Sequence, residues 1–145
     1  MVIAIIGENC SGKSTLADAI GERFGGEIVT GKDYLRMAKS ESVAKLLFKK
    51  KLAQAATGEH VIYVISEKEH LALLPEGALR ILVQADLDTV KERFRARLHC
   101  NLPAPVEKML ERNHGSFDGE AHDFVFDGAK GDLAAFCEEL NGAIR

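Results

Sequence analysis

Gly7-Glu8-Asn9-Cys10-Ser11-Gly12-Lys13-Ser14 follows directly on the apolar run Val2-Ile3-Ala4-Ile5-Ile6 and leads into a segment of helical periodicity. The eight residues fit G-x-x-x-x-G-K-[ST] without a mismatch, and they stand where that pattern has to stand, between a buried strand and a helix N-terminus. Successive backbone N–H groups of such a loop form an anion-binding concavity, and the helix adds about half a positive charge at its first turn. A chain of phosphates is the fitting guest. Lys13 would reach the outer phosphates as a point charge, and the Ser14 hydroxyl would join the coordination of a Mg²⁺ that keeps several waters. Gly7 and Gly12 let backbone approach where a Cβ would collide. Asn9, Cys10, Ser11 and Thr15 complete the nucleotide-binding set, Cys10 as a small loop filler and Thr15 on the first helical turn. The alternative, a glycine-rich turn that binds nothing, has both flanks against it.

Composition bounds the rest. The chain has 145 residues, 46% hydrophobic and 28% charged, the balance of an ordinary globular protein, and this length suits one domain spanning residues 1–145. A net charge of −3 provides no long-range attraction for nucleic acid or an anionic membrane. No run approaches the 18 apolar residues of a membrane helix, and the first residues lack the charged start of a secretory signal. Cys10, Cys100 and Cys137 are far apart and form no CxxC pair, so free thiols and a reducing cytoplasm are expected. A monomer is compatible with all of this.

Along the chain, strands are expected over Val2 to Ile6, Glu27 to Val29, Val61 to Ile65, Leu79 to Val83 and around Phe124 to Phe126. Helical periodicity marks Ser14 to Phe24, then Asp33 to Ala56 with Val43, Leu46 and Leu47 on one side and Lys45, Lys49, Lys50 and Lys51 mostly on the other. Asp86 caps a helix that runs through Leu98, a further helix contains Met109 and Leu110, and Leu133, Phe136, Cys137, Leu140 and Ile144 mark the last. Five strands alternating with helices predict an α/β fold, a five-stranded parallel sheet with helices on both faces in the three-layer arrangement of P-loop NTPases.

Beyond the phosphate loop, the segment IVTGKDYLR (28–36) after the second strand and KERFRAR (91–97) in a later helix carry a resemblance. The chain resembles the small P-loop phosphotransferases of the nucleoside monophosphate kinase and shikimate kinase group, and IVTGKDYLR is similar to the STGDxLR element of adenylate kinases with one inserted residue. The resemblance implies ATP and Mg²⁺ as cofactors and transfer of the γ-phosphoryl group to a small anionic acceptor, with a nucleoside monophosphate favoured and a shikimate-like or other small metabolite behind it. It places Asp33 and Arg36 at an acceptor-binding segment of about 33–57, and Arg93, Arg97 and Arg112 in or beside a lid of about 93–112.

The residue types suit those roles. Arginine offers a planar donor fork for phosphate or carboxylate, and aspartate can orient a hydroxyl or a metal-bound water. Arg93 and Arg97 are four apart and share a helix face, while Arg95 points elsewhere. Plainer readings compete: Asp33 as a helix cap, Arg36 as an exposed first-turn residue, and the later arginines paired with Glu92 or Glu111 on a solvated face. Ser66 and Glu67 follow the third strand, where an acid would hold the metal's water, so Glu67 and Asp33 are the two candidates. Neither the GFPR-like element of adenylate kinases nor the GGG loop of shikimate kinases is present, which leaves the acceptor open. Asp127-Gly128-Ala129-Lys130 lies where these families read adenine, and is equally a plain turn. His99, His114 and His122, with Cys100 nearby, match no metal signature. Two contrasting functions stand beside the kinase: a regulatory module that binds nucleotide without efficient transfer, and a kinase of nucleic-acid ends, which would need a basic channel.

Overall fold

A computed structural model describes residues 1–55, 58–99 and 101–144. Five strands, β1 (Val2–Ile6), β2 (Glu27–Thr30), β3 (Val61–Ile65), β4 (Leu79–Gln84) and β5 (Phe124–Asp127), form one sheet in the order β2-β3-β1-β4-β5. Every pairing is parallel, with Ile3 beside Ile62 and Leu79, and Ile81 beside Phe124. The helices are α1 (Lys13–Phe24), α2 (Glu41–Ala55), α3 (Leu87–Leu98), α4 (Ala104–Asn113) and α5 (Leu133–Leu140).

The unbroken apolar runs of β1 and β3 are explained by burial on both faces, since alternate side chains of a strand point to opposite sides. Ile3, Ile5, Ile62 and Val64 pack with Leu16 and Ile20 of α1 and with Phe136 and Leu140 of α5. Ala4, Ile6, Tyr63 and Ile65 pack with Ala44, Phe48 and Leu52 of α2 on the other face. Ile144 lies beyond the end of α5 yet is buried in the first of these clusters. A third cluster, Ala85, Val90 and Leu110 with Phe94 and Val106, joins α3 to α4. Asp86 caps α3 as expected, accepting from the Thr89 N–H at 3.1 Å.

Two expectations need correction. The helix over Asp33 to Ala56 is broken: Asp33–Met37 is a 3-10 turn, and α2 starts at Glu41. The expected apolar face of α2 is also wrong. Ala44, Phe48, Leu52 and Ala55 face the core, whereas Val43, Leu46 and Leu47 are exposed. Leu46, Leu47 and Phe48 are contiguous, so two faces compete, and the one bearing the aromatic ring stacks on Tyr34 and meets Tyr63 edge-on. Ala56 and Thr57, the end of the expected acceptor segment, and Cys100 lie outside the described residues. A 3-10 turn at Lys68–Leu73, not anticipated from the sequence, follows β3.

Candidate active site

β1 ends at the sheet's carboxyl edge and delivers the chain into the Gly7–Ser14 loop, at the central strand where ligands of open α/β sheets bind. The loop is tied down by backbone: Gly7 N–H donates to Ile65 O at 3.2 Å and Ser11 N–H to Glu8 O at 3.3 Å. Cys10 and Gly12 take φ values of +63° and +108°, the left-handed conformations that turn successive amides toward one side. Gly12 is the N-cap of α1 and supplies no side-chain cap, so the helix's first amides stay available to a ligand. A Cβ on Gly7 would stand 2.6 Å from Val83 O, which fixes glycine there for close packing against β4.

Lys13 is 5% exposed, and its ammonium donates to Glu8 O at 2.5 Å. Burial, with Arg97 adding to the effect, lowers its pKa to about 8, against the opposing pull of Cys10 and Glu8. Glu8 is itself held above the usual carboxylate range by burial, and its Oε1 lies 2.8 Å from His114 Nδ1. His114 therefore braces the phosphate loop, a role the sequence reading did not assign. Ser11 is fully buried and its Oγ has no hydrogen-bond partner among the described residues. Cys10 is half-buried, packing against the α3–α4 cluster.

A cleft of about 560 Å³ opens over this loop, lined by Asn9, Cys10, Gly12, Lys13, Ser14 and Thr15 on one side, and by Arg93 and Arg97 of α3. Its far side is formed by Thr30, Gly31, Lys32, Ser66, Glu67 and His70. The structure therefore brings together the phosphate loop, both arginines of the expected pair and Glu67. Arg93 is engaged: Nη1 donates to Cys10 O at 3.1 Å and Nη2 to Gly128 O at 2.6 Å, linking the phosphate loop to the turn after β5. Arg97 makes no ion pair among the described residues, while Arg95 pairs with Glu92 on the outer face. Gly128 N–H donates to Gln84 O at 2.7 Å, and a Cβ on Gly128 would collide with Ser11 O. Asp127 Oδ1 accepts from the N–H groups of Ala129 and Lys130, so the turn is closed by its own aspartate.

Three expected residues stand apart from the cleft lining. Asp33 Oδ2 accepts the Thr30 N–H at 2.9 Å, a bond that holds its carboxyl below the usual range, and Oδ1 lies 3.8 Å from Arg36 Nη2. Arg36 is 86% exposed in its side chain. Arg112 is exposed on the last turn of α4. Lys32, which the sequence reading passed over, reaches toward Glu67 at 3.8 Å.

Among the described residues, the donors grouped closely enough to hold a metal ion together are Glu67, Glu69 and His70, with ligand atoms within 4.8 Å of one another, and not the group His99, His114 and His122. No helix among the described residues is long and apolar enough to cross a membrane.

No protein-family model and no curated protein matches the sequence. Solved structures do match. A shikimate kinase from Bacteroides thetaiotaomicron aligns with a TM-score of 0.65 at 13% identity, over 99% of this chain and 97% of that one. A gluconokinase from Sinorhizobium meliloti 1021 aligns with a TM-score of 0.62 at 18% identity, over 99% and 90%. The deoxyadenosine kinase of M. mycoides, solved with bound dATP, aligns with a TM-score of 0.59 at 18% identity, over 99% and 98%. The chain thus has the three-layer α/β fold of small P-loop kinases.

Proposed function

We propose that the protein is an ATP- and Mg²⁺-dependent phosphotransferase that moves the γ-phosphoryl group to a hydroxyl of a small anionic acceptor. The observation that carries this reading is the juxtaposition in one cleft of a complete phosphate loop, two arginines from α3 and a polar far wall with room for a second substrate. The residues fit a nucleotide polyphosphate: the loop holds left-handed turns at Cys10 and Gly12, and Lys13 is buried beside it with an ammonium in search of anions. They also fit a hard divalent cation, since Ser14 and Glu67 offer oxygen donors to the same cleft. Mg²⁺, once bound, would neutralise charge on the outer phosphates.

This chain's own residues do the remaining work. The loop amides and Lys13 bind and orient the phosphates; phosphoryl transfer asks mainly for such positioning and for positive charge on the equatorial oxygens. Arg97 has an uncommitted guanidinium for that charge. Arg93 holds the loop and the Gly128 turn in register with two of its five N–H donors, and the others are left for phosphate. Glu67 is favoured over Asp33 as the acid beside the metal, because the Asp33 carboxylate is already used in its turn and does not line the cleft. Asp33, Arg36 and Arg112 would meet an acceptor only if their segments moved. That weakens the case for a nucleoside monophosphate, which rested on IVTGKDYLR.

The test is coupled ADP release with Mg–ATP across nucleoside monophosphates, shikimate-like acids and sugar acids, run beside Lys13→Ala. Acceptor-dependent turnover that disappears in the variant supports the kinase. Tight ATP binding with no turnover on any acceptor supports the regulatory module instead.

A further inference from the structure

We propose that His70 is an acceptor-binding residue at the floor of the cleft's far half, and that with Lys32 it selects a small hydroxylated anion over an acceptor carrying a nucleobase. The proposal rests on the phosphotransferase reading. His70 is 2% exposed, yet neither ring nitrogen has a hydrogen-bond partner among the described residues. Buried polar atoms are nearly always satisfied, and one that is not points to a missing ligand, water or ion. His70 also lines the same cleft as the phosphate loop.

The ring is held in place by its neighbours. Tyr34 meets it edge-on with centroids 5.9 Å apart, and Tyr63 lies 6.4 Å away. Gly31 covers one edge so closely that a Cβ there would be 3.2 Å from both Cε1 and Nδ1, and the Gly31 carbonyl is in turn fixed by the Tyr63 hydroxyl at 2.8 Å. On the other edge, Glu69 Oε1 stands 3.7 Å from Nε2, outside hydrogen-bond range. The Glu69 side chain is 67% exposed. Packing therefore fixes the imidazole beside the cleft with both of its nitrogens unsatisfied.

The chemistry around it defines the guest. Thr30, Ser66, Glu67 and Lys32 offer hydroxyls, a carboxylate and one cation on this half of the cleft, and among the described residues no Phe, Tyr or Trp ring lines it. A base is held chiefly by stacking on a broad ring or by an apolar slot; Val64 is the one aliphatic side chain of the described lining, and Tyr34 and Tyr63 are buried. A compact molecule with several hydroxyls and a negative group matches instead: Lys32 faces the anion, and His70 meets a hydroxyl.

The test uses the whole chain and three substitutions, His70→Phe, His70→Gln and Lys32→Ala, with gluconate, shikimate, AMP and deoxyadenosine as probes. ATP affinity is measured by calorimetry, and turnover by ADP release. Phenylalanine keeps the ring packing but removes the nitrogens, so His70→Phe is expected to leave the melting temperature undiminished and the ATP Kd within about twofold, while raising the KM of the hydroxy acid about tenfold or more. Lys32→Ala should raise the same KM, and His70→Gln, which restores a donor, should lose less than His70→Phe. The proposal is overturned if AMP or deoxyadenosine stimulates turnover while neither acid does, if either is the better acceptor, or if His70→Phe leaves the acceptor KM unchanged; ATP binding with no turnover on any of the four overturns the phosphotransferase reading. Absence of ATP binding by the unaltered protein would also overturn the phosphotransferase reading, and is seen in the same titration.

Discussion

Raising the pH from 7 to 9 is expected to weaken nucleotide binding about tenfold through Lys13 alone. The side chain titrates near 8 because it is buried, and its one strong partner is a neutral carbonyl rather than an acid. With that value the charged fraction falls from about nine-tenths at pH 7 to about one-tenth at pH 9, and a polyphosphate needs the charged form, so Kd rises about tenfold, or about 1.4 kcal/mol. Binding near pH 8 should then draw in about half a proton per site, because phosphate returns the ammonium to its protonated state. Calorimetry in two buffers of different ionisation enthalpy reads the uptake directly. Lys13→Met should abolish both the uptake and the pH dependence. The same shift acts on folding with a definite sign: the folded value lies below the unfolded 10.5, so the cost of burying the charge weighs fully below pH 8 and is relieved as pH climbs toward 10.5. The ligand-free Lys13→Met protein should therefore melt higher at pH 7, the loss of the Glu8 bond offsetting part of the gain. A nucleotide Kd flat from pH 7 to 9, with no proton uptake, would refute the reasoning.

Other outcomes separate structural from functional roles. Arg93→Ala removes two carbonyl partners and is expected to cost about 1–3 kcal/mol of stability in denaturant unfolding, whereas Arg97→Ala should leave stability unchanged and lower kcat at least about tenfold. Gly128→Ala puts a Cβ into Ser11 O, so both the melting temperature and ATP affinity should fall together, the stability by about 2 kcal/mol or more. Asp33→Asn should slightly lower stability at neutral pH and have progressively less effect as the pH falls below the usual carboxylate range. The depressed pKa of Asp33 means that its contribution is present above the unfolded carboxylate value and fades as pH drops through the folded one. Glu67→Gln should raise the Mg²⁺ concentration needed for half-maximal turnover, while Asp33→Asn leaves it unchanged.

The parts legible in the sequence are those governed by local rules. Val2 to Ile6 and Val61 to Ile65 read as strands covered on both faces because every residue is apolar, and the glycine-lysine-serine loop between strand and helix has few other conformations open to it. Asp86 announced a helix start through its own cap bond. Failures came where two local solutions were close in energy. The Leu46-Leu47-Phe48 run permits two buried faces of α2, and only the cavity beside Tyr34 and Tyr63 selects Phe48. Asp33 and Arg36, singled out by a motif, sit in a 3-10 turn where Asp33 accepts the Thr30 N–H, and their acceptor role awaits the turnover assay.

By itself, then, the sequence determined the alternation of strands and helices, the phosphate loop at the first crossover, and the pairing of Arg93 and Arg97 on one helix face. These follow from periodicity and backbone sterics acting over a few residues. The tertiary structure alone decided which residues meet in and around the cleft: Gly128 against Ser11, His114 on Glu8, Lys32 opposite Glu67, and His70 enclosed with no hydrogen-bond partner among the described residues. Those contacts join positions tens of residues apart, and their geometry depends on strand order and packing that no local pattern encodes.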